Sequence, residues 1–277
     1  MFRFLIFSIV LLTISSCNKE KLKSPESAFL VVNSANVFST PLQGSNSSKI
    51  TDIWYYVDDN FKGAFPIGSI MPIVGSGSSK ITLYAGIKNN GISAARLPYD
   101  FYQKYTISQD ITPGQTYVVN PTFEYLTVAA FPIIENFDAG GFKFMSVGTT
   151  PFTVITDPNL VYGGSGKSFY MTMTDVNPKS EIKTSTPINL PVGGAAVYLE
   201  LNYKCNQQIE VGVIGGGIEV RQALIVNSSS EWNKIYIQLT SVVSTQPTYN
   251  YYDIYIKATK QVDSPEIYLD NIKLVTK

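Results

Sequence analysis

The 277-residue sequence contains no histidine. Histidine is the most frequent general base near neutral pH and the most frequent metal ligand. Its absence excludes Ser-His-Asp and Cys-His catalysis, and it excludes zinc sites of the His-Glu-x-x-His type. An enzyme built on this chain would have to use carboxylates, tyrosine or lysine.

Cysteine and charge are also scarce. Cys17 and Cys205 are the two cysteines, and Cys205 lies in an alternating segment, where a small, buried apolar residue is expected. Charged residues make up 15% of the chain, below the ~25% of an average domain, and 21 basic residues balance 21 acidic ones. This balance predicts no basic surface, so we expect no nucleic-acid partner.

Long apolar runs are missing except at the N-terminus. Residues 4–14 are apolar apart from Ser8 and Thr13, and they follow a single charge at Arg3. A signal peptide has an apolar core of about 7–15 residues, and such a run is too short to span a bilayer. The sequence therefore predicts an export signal over residues 1–16.

The residues that follow, Ile-Ser-Ser-Cys at 14–17, resemble the lipobox of bacterial lipoproteins. The resemblance implies cleavage before Cys17 and attachment of lipid to its thiol. Residues 17–26 are polar and charged, which predicts a tether. The Lys19-Glu20 pair resembles the export signals of Bacteroidetes-type surface lipoproteins; a solvated linker is the alternative. We expect a lipid anchor in the bacterial outer membrane, at the cell surface or on the periplasmic face.

Apolar and polar residues alternate along most of the sequence. The clearest runs are residues 196–204, 234–239 and 252–258. A period of two residues predicts half-buried antiparallel strands, and no window has a convincing helical period. Clusters of Gly, Asn and Ser separate the runs, as turns do. The sequence predicts an all-β fold made of sandwiches.

A break near residues 127–134 divides the chain. Ala-Ala-Phe-Pro at 129–132 separates the preceding strand-like segment from a new start at Ile133. Both parts have the length of an ordinary domain. We predict one β-sandwich over residues 27–127 and a second over residues 133–277.

Four segments of the second part resemble the strands of jelly-roll carbohydrate-binding modules and galactose-binding-like domains. They are Glu-Asn-Phe-Asp at 135–138, Gly-Lys-Ser-Phe-Tyr-Met at 166–171, the run at 252–258, and Ile-Tyr-Leu-Asp-Asn-Ile-Lys-Leu at 267–274. The resemblance implies a jelly-roll fold for residues 133–277 and specifies no ligand.

The last of these segments changes its apolar phase in the middle. Residues 267 and 269 follow one phase and residues 272 and 274 follow the other, which predicts a β-bulge at Asp270. In the modules that the segment resembles, this aspartate often binds a structural calcium with acidic residues of the opening strand. The resemblance thus implies a calcium site formed by Asp270, Glu135 and Asp138. The alternative is that Asp270 only accepts backbone hydrogen bonds at the bulge.

The first part resembles the small transthyretin-like or immunoglobulin-like modules of Bacteroidetes-type surface lipoproteins. Residues 50–65 form a strand, a polar turn and a return strand, and residues 81–91 are also typical. The resemblance implies a spacer or docking unit without activity. Residues 96–105 are rich in aromatics, which either cover an open end of the sandwich or form an exposed recognition patch.

These observations favour a non-catalytic envelope lipoprotein that binds glycan through its jelly roll. Sugar rings stack on aromatic side chains, and the aromatics near predicted loops are Tyr162, Trp232, Tyr249 and Tyr251. The first alternative is a structural or assembly component that docks another envelope protein.

The second alternative is a glycoside hydrolase or lyase. It requires two carboxylates about 5–10 Å apart in a groove. Glu200, Glu210 and Glu219 are candidates by their outward position, but they belong to no catalytic motif. We therefore predict that the chain is not an enzyme and needs no cofactor beyond the possible calcium.

Overall fold

The computed structural model describes residues 26–149 and 151–277, and these residues are almost entirely β-structure. The all-β prediction is confirmed. The predicted signal peptide, Cys17 and nearly all of the tether lie outside the described residues. No helix of the described part has the length and apolar character needed to cross a membrane.

Ten strands belong to the first part of the chain. They are β1 (Ala28–Val31), β2 (Asn36–Phe38), β3 (Asp52–Val57), β4 (Asn60–Pro66), β5 (Ile70–Ile73), β6 (Gly77–Lys88), β7 (Arg96–Pro98), β8 (Tyr105–Ile111), β9 (Thr116–Val118) and β10 (Thr122–Glu124). A short 3-10 helix, Pro41–Gln43, lies between β2 and β3.

These strands form one five-stranded sheet and two smaller sheets. Strands β4, β3, β6 and β7 are adjacent in that order, and β8 also pairs with β6. Strands β5, β1 and β9 form a second sheet, and β10 pairs with β2. The β1–β9 and β2–β10 pairs are parallel, whereas the other pairs are antiparallel. Their inward side chains form one hydrophobic core.

Eleven strands and one α-helix belong to the second part. They are β11 (Ala130–Glu135), β12 (Phe144–Ser146), β13 (Thr153–Ile155), β14 (Ser168–Met171), β15 (Lys179–Thr184), β16 (Val197–Cys205), β17 (Ile209–Gly215), β18 (Glu219–Val226), β19 (Ser229–Gln238), α1 (Thr240–Ser244), β20 (Tyr252–Thr259) and β21 (Ile267–Thr276). A 3-10 helix, Tyr162–Gly164, precedes β14.

Two antiparallel sheets form the second sandwich. Strands β13, β14, β21, β16 and β19 form the larger sheet in that order, with β11 also paired to β21. Strands β12, β15, β20, β17 and β18 form the smaller sheet. The chain passes repeatedly from one sheet to the other, as in jelly-roll folds. The second hydrophobic core, which includes buried Cys205, lies between the sheets.

The two cores follow the two parts of the chain with one exception. Tyr198, Tyr236 and Val275 come from the larger sheet of the second sandwich but pack in the core of the first part. They lie on the outer face of that sheet, because Leu199, Ile237 and Leu274 of the same strands point into the second core. The first part therefore covers a portion of this outer face. The residue limits of the two domains stay a prediction.

The prediction that the alternating segments are half-buried strands is wrong. Side chains of both phases are buried through most of β16, and the same holds for residues 234–237 and 252–256. In β16 and β19 the physical reason is that the inner phase packs in the second core while the outer phase packs against the first part. Alternation in the sequence shows which residues are polar, but it does not show which are exposed. Here some polar side chains are buried because they contact another domain.

The predicted bulge at Asp270 is confirmed. In the pairing of β16 with β21, Glu200 lies opposite Lys273 and Asn202 lies opposite Asp270, so two residues of β21 face one residue of β16. Asn271 is one of these two residues of β21 and has φ = +47°. Asparagine tolerates this left-handed conformation better than most residues. The bulge keeps both Leu269 and Ile272 in the core.

Candidate functional site

Four aromatic rings form a continuous row on the part of the larger sheet that the first domain leaves uncovered. Tyr162 and Trp232 have ring centroids 5.4 Å apart, Trp232 and Tyr268 are 6.5 Å apart, and Tyr268 and Tyr170 are stacked at 5.0 Å. Tyr268 is almost fully buried, whereas the other three are half-buried. We call these four residues the aromatic row. It brings together two of the four predicted aromatics with two that were not predicted.

Strand register explains why Tyr170 and Tyr268 meet. Tyr170 of β14 lies directly opposite Tyr268 of β21, and Tyr268 lies opposite Lys204 of β16. Their chain neighbours Phe169 and Leu269 point into the core, so the two tyrosines must point outward. Adjacent outward positions on paired strands are close enough for aromatic stacking.

Hydrogen bonds hold the other two rings in place. The indole Nε1 of Trp232 donates to the carbonyl of Leu160 at 3.2 Å. The Tyr162 backbone N–H donates to Ser168 Oγ at 3.0 Å, and the Tyr162 hydroxyl donates to Ser47 Oγ of the first domain at 3.2 Å. These contacts fix the edge of the row against both domains.

A polar cavity of about 170 Å³ adjoins Tyr268. Its lining includes Lys204, Asn206, Ser229, Ser230 and Glu266. The Asn206 side chain is fixed, because its Oδ1 accepts from the backbone N–H of Glu266 and its Nδ2 donates to the carbonyl of Ser264. Among the described residues, the Lys204 ammonium and the Glu266 carboxylate have no hydrogen-bond or ion-pair partner. A charged donor and a charged acceptor are thus free beside the aromatic row.

The hydroxyls of the two stacked tyrosines stay protonated at physiological pH. Burial, with the charge of Glu266 adding to it, raises the pKa of Tyr268 to about 12. The same two causes raise the pKa of Tyr170 above its ordinary value. Both phenol groups can therefore donate hydrogen bonds at physiological pH.

Tyr249 and Tyr251, the other two predicted aromatics, lie elsewhere. The Tyr249 ring packs on Gly215 and Gly216 at the turn between β17 and β18, and its hydroxyl donates to Glu219 at 2.5 Å. Tyr251 is 44% exposed, and its hydroxyl donates to the carbonyl of Gly216 at 3.1 Å. Both lie in the loop that precedes β20, beside the smaller sheet, and are not part of the aromatic row.

The three carboxylates of the predicted calcium site lie near one another at the bulge. Glu135 accepts from the backbone N–H groups of Phe137 at 2.7 Å and Lys143 at 2.6 Å. Asp270 accepts from the Ser168 hydroxyl at 2.5 Å and from the backbone N–H of Asn271 at 2.6 Å. These bonds engage both oxygens of each carboxylate.

Asp138 is engaged in the same way. One oxygen accepts from the backbone N–H of Lys167 at 2.8 Å and the other accepts from the Asn136 amide at 2.7 Å. Within the described part of the chain, no three acidic or cysteine residues converge in a way that could hold a metal ion. The carboxylates are therefore hydrogen-bonded and do not by themselves complete a calcium site. The calcium site stays a prediction.

The pKa of Asp270 shows how close these charges are. Burial, together with the charges of Asp138 and Glu135, raises the pKa to about 7 against the opposing hydrogen bonds from Ser168 and Asn271. A pKa near neutrality means that the surroundings of Asp270 destabilise the ionised carboxylate relative to the protonated acid. The contribution of Asp270 to the free energy of unfolding must therefore change with pH.

The carboxylates proposed for a hydrolase or lyase occupy three separate environments. Glu200 is completely buried between the domains, where it accepts hydrogen bonds from Tyr99 and Tyr125. Glu210 pairs with Lys257 and accepts from Tyr255 on the outer face of the smaller sheet. Glu219 pairs with Arg221 at the end of that sheet. Each carboxylate is bound to its own partners.

The aromatic segment 96–105 packs between the domains. Tyr99, Phe101 and Tyr102 are buried, and Tyr99 contacts both Tyr198 and Tyr236 of the second sandwich. These three aromatics therefore do not form an exposed recognition patch. The segment's aromatics are the first domain's half of the interface.

Comparison with known proteins gives similar structures but no family. No family model matches the chain, and no curated protein matches it. Similar solved structures include a family 29 carbohydrate-binding module variant complexed with cellulohexaose, at 11% identity and a TM-score of 0.38, covering 55% of this chain and 94% of that one. Another is a family 29 variant complexed with mannohexaose, at 11% identity and a TM-score of 0.39, covering 53% of this chain and 92% of that one.

A family 61 module in complex with β-1,4-galactotriose is also similar, at 13% identity and a TM-score of 0.35, covering 48% of this chain and 88% of that one. All three of these similar structures are carbohydrate-binding modules. Likeness at this level identifies neither a ligand nor a site residue, so any assignment of function must come from the chain's own geometry.

Proposed function

We propose that this protein is a non-catalytic envelope lipoprotein whose second sandwich binds glycan on the aromatic row. The observation that carries the proposal is the row itself: four rings in contact, beside a cavity with an unpaired lysine and an unpaired glutamate. Ligand sites typically combine apolar, aromatic surface with a few fixed polar groups.

The chemistry of sugars fits both parts of this surface. The C–H groups of a sugar ring form an apolar face that packs on an aromatic ring, and the ring hydroxyls require donors and acceptors. Trp232 and Tyr162 offer half-exposed rings. Lys204 and Glu266 offer a donor and an acceptor that no side chain in the described ranges uses. In this proposal the aromatic rings contribute most of the affinity for the sugar. Lys204 and Glu266 orient the sugar through hydrogen bonds to its hydroxyls.

The proposed location follows from the N-terminal sequence. A diacylated or triacylated Cys17 would hold the protein on the outer membrane, because each buried methylene contributes about 0.8 kcal/mol. Residues 17–26 would then separate the sandwiches from the bilayer. Cys17→Ser should abolish incorporation of a labelled fatty acid, and undiminished label in that variant would contradict the anchor.

Tryptophan fluorescence tests glycan binding directly. The chain has two tryptophans, Trp54 and Trp232, so Trp54→Phe leaves Trp232 as the sole reporter. Titration with soluble oligosaccharides that a glycan array selects should change the intensity or wavelength of Trp232 emission in a saturable way. A glycan that binds without changing Trp232 emission would place the site elsewhere.

A second surface favours the alternative of protein docking. Trp54, Tyr56, Phe61 and Tyr84 contact one another on the outer face of the large sheet of the first domain, with ring centroids 5.1–5.4 Å apart. Phe61 is 51% exposed. A compact apolar patch of this kind suits a protein partner. Cross-linking in intact cells from a photoreactive residue at position 61 would capture such a partner, whereas absence of any adduct would argue against docking there.

A further inference from the structure

A small cavity of about 110 Å³ lies at the junction of the two domains and is lined by three lysines. Lys49 and Lys88 come from the first domain, and Lys234 comes from β19 of the second. Asn233, Tyr236 and Gly91 complete much of the wall, and none of the described residues that line the cavity carries a carboxylate. We call it the lysine cavity.

Main-chain contacts between the domains fix the walls of the lysine cavity. The backbone N–H of Asn90 donates to the carbonyl of Tyr236 at 2.9 Å, and the backbone N–H of Gln238 donates to Asn90 Oδ1 at 2.8 Å. The backbone N–H of Lys49 donates to the Tyr236 hydroxyl at 3.0 Å. Both segments of the first domain that carry the cavity lysines are thereby bonded to one strand of the second.

The charges around the cavity are not balanced. Lys234 Nζ is 3.1 Å from Glu200 Oε2 and makes no hydrogen bond within the described residues, although its side chain is only 2% exposed. Lys49 Nζ donates to the neutral amide oxygen of Asn233 at 2.5 Å. The Lys88 ammonium has no partner among the described side chains. Three ammonium groups therefore line the cavity, and among the described residues only that of Lys234 has a carboxylate beside it.

This concentration of positive charge is energetically unfavourable in the folded protein. Burial lowers the pKa of Lys49, and the nearby charge of Lys88 lowers it further. Like charges held together in a partly enclosed space repel more strongly than they would in open water. An anion placed between them would remove the repulsion and would gain charge-assisted hydrogen bonds.

We propose that the lysine cavity binds a small oxyanion, a carboxylate or a sulfate group, held by Lys49 and Lys88 with Lys234 at its base. Such a group is available as a free ion or as the charged substituent of an acidic sugar. The cavity shares no residue with the aromatic row, so the proposal stands or falls independently of the proposed function.

The experiment measures the melting temperature of the purified protein in chloride buffers of constant ionic strength, with and without millimolar sulfate. We expect sulfate to raise the melting temperature of the wild type by several degrees, because a ligand that binds only the folded state stabilises it. Lys88→Met and Lys49→Met should each lose most of that rise. Lys62→Met removes an exposed lysine of the same domain and should keep it.

A second comparison guards against misfolded variants. Without added oxyanion, Lys88→Met should melt no lower than the wild type, since the substitution removes a repulsive charge and keeps an apolar stem. Equal rises with sulfate in all four proteins would reflect the general stabilising effect of this salt and would overturn the proposal.

Calorimetric titration separates the two sources of the oxyanion. Binding of glucuronate but not of glucose would support a charged sugar as the ligand. Binding of sulfate alone would support a free ion. Failure of both ions to bind the wild-type protein would overturn the site.

Discussion

The outer face of the larger sheet has two halves that use aromatic residues differently. In the covered half, Tyr198 and Tyr236 are fully buried against Tyr99 of the first domain. In the uncovered half, Trp232 and Tyr170 keep part of their rings exposed. All four residues occupy the outward phase of their strands, so their position on the strand is the same. What differs is whether another domain lies over them.

Polar groups also differ between the covered and the uncovered half of this face. In the covered half, Glu200 accepts hydrogen bonds from Tyr99 at 2.8 Å and Tyr125 at 2.9 Å, and it lies 3.1 Å from Lys234. In the uncovered half, Lys204 and Glu266 have no such partners among the described residues. Buried polar groups must be paired to be tolerated, whereas exposed ones remain available to a ligand. The covered half holds the domains together, and the uncovered half is the proposed site.

The largest expected effect is at Glu200, in the covered half. Glu200→Gln removes the carboxylate that pairs with buried Lys234 and lies close to buried Lys273. Burial lowers the pKa of Lys273 to about 8. Removing one partner of a buried pair costs about 3–5 kcal/mol. We expect a loss of that size in the free energy of unfolding measured with urea.

Glu210→Gln is the matched control. Glu210 pairs with Lys257 on the partly exposed outer face of the smaller sheet, where an ion pair contributes about 0–1 kcal/mol. Equal losses in the two variants would show that the covered half has no special role in stability.

The next effect concerns Asp270 and depends on pH. The folded protein holds the proton up to about pH 7, whereas an unfolded aspartate releases it near pH 3.8. Stability from this group is therefore present at low pH and is lost as pH rises from about 4 to 7. Relative to the wild type, Asp270→Asn should gain about 2–4 kcal/mol between pH 4 and pH 8. Parallel pH profiles of the two proteins would contradict the raised pKa.

The same pair of proteins decides the calcium prediction. If calcium binds the three carboxylates, millimolar calcium should raise the melting temperature of the metal-stripped wild type at pH 8 and should leave Asp270→Asn unchanged. No shift in the wild type would mean that Asp270 serves the bulge through hydrogen bonds alone.

The smallest expected effect is at Tyr170, in the uncovered half. Tyr170→Ala loses its stacking on Tyr268, which contributes about 1 kcal/mol. We expect a small loss of stability in urea together with clearly weaker glycan binding. Tyr251→Ala, which also removes a partly exposed tyrosine, should leave glycan binding unchanged. A large loss of stability in Tyr170→Ala would mean that the aromatic row serves the fold.

The sequence predicts the all-β class and the bulge well, because these depend on local alternation and its phase. It predicts half of the aromatic row, Tyr162 and Trp232. The sequence does not single out Tyr170 and Tyr268, because both lie inside segments whose pattern indicates the fold. The contact between these two rings depends on the register of β14 and β21, which a single sequence does not define.

The interface between the domains could not be predicted. The aromatics at 99–102 and the charge of Glu200 are separated by about a hundred residues, and alternation alone assigns Glu200 to an exposed face. Only the packing of one sandwich on the other explains why a glutamate occupies a fully buried position.

The most direct test of the central claim is the affinity of Trp232→Ala for a glycan that the wild type binds, measured by titration calorimetry beside Tyr251→Ala. The account predicts at least a tenfold loss of affinity, about 1.4 kcal/mol, for Trp232→Ala and no change for Tyr251→Ala. Unchanged affinity in a folded Trp232→Ala protein would contradict the claim that glycan binds on the aromatic row.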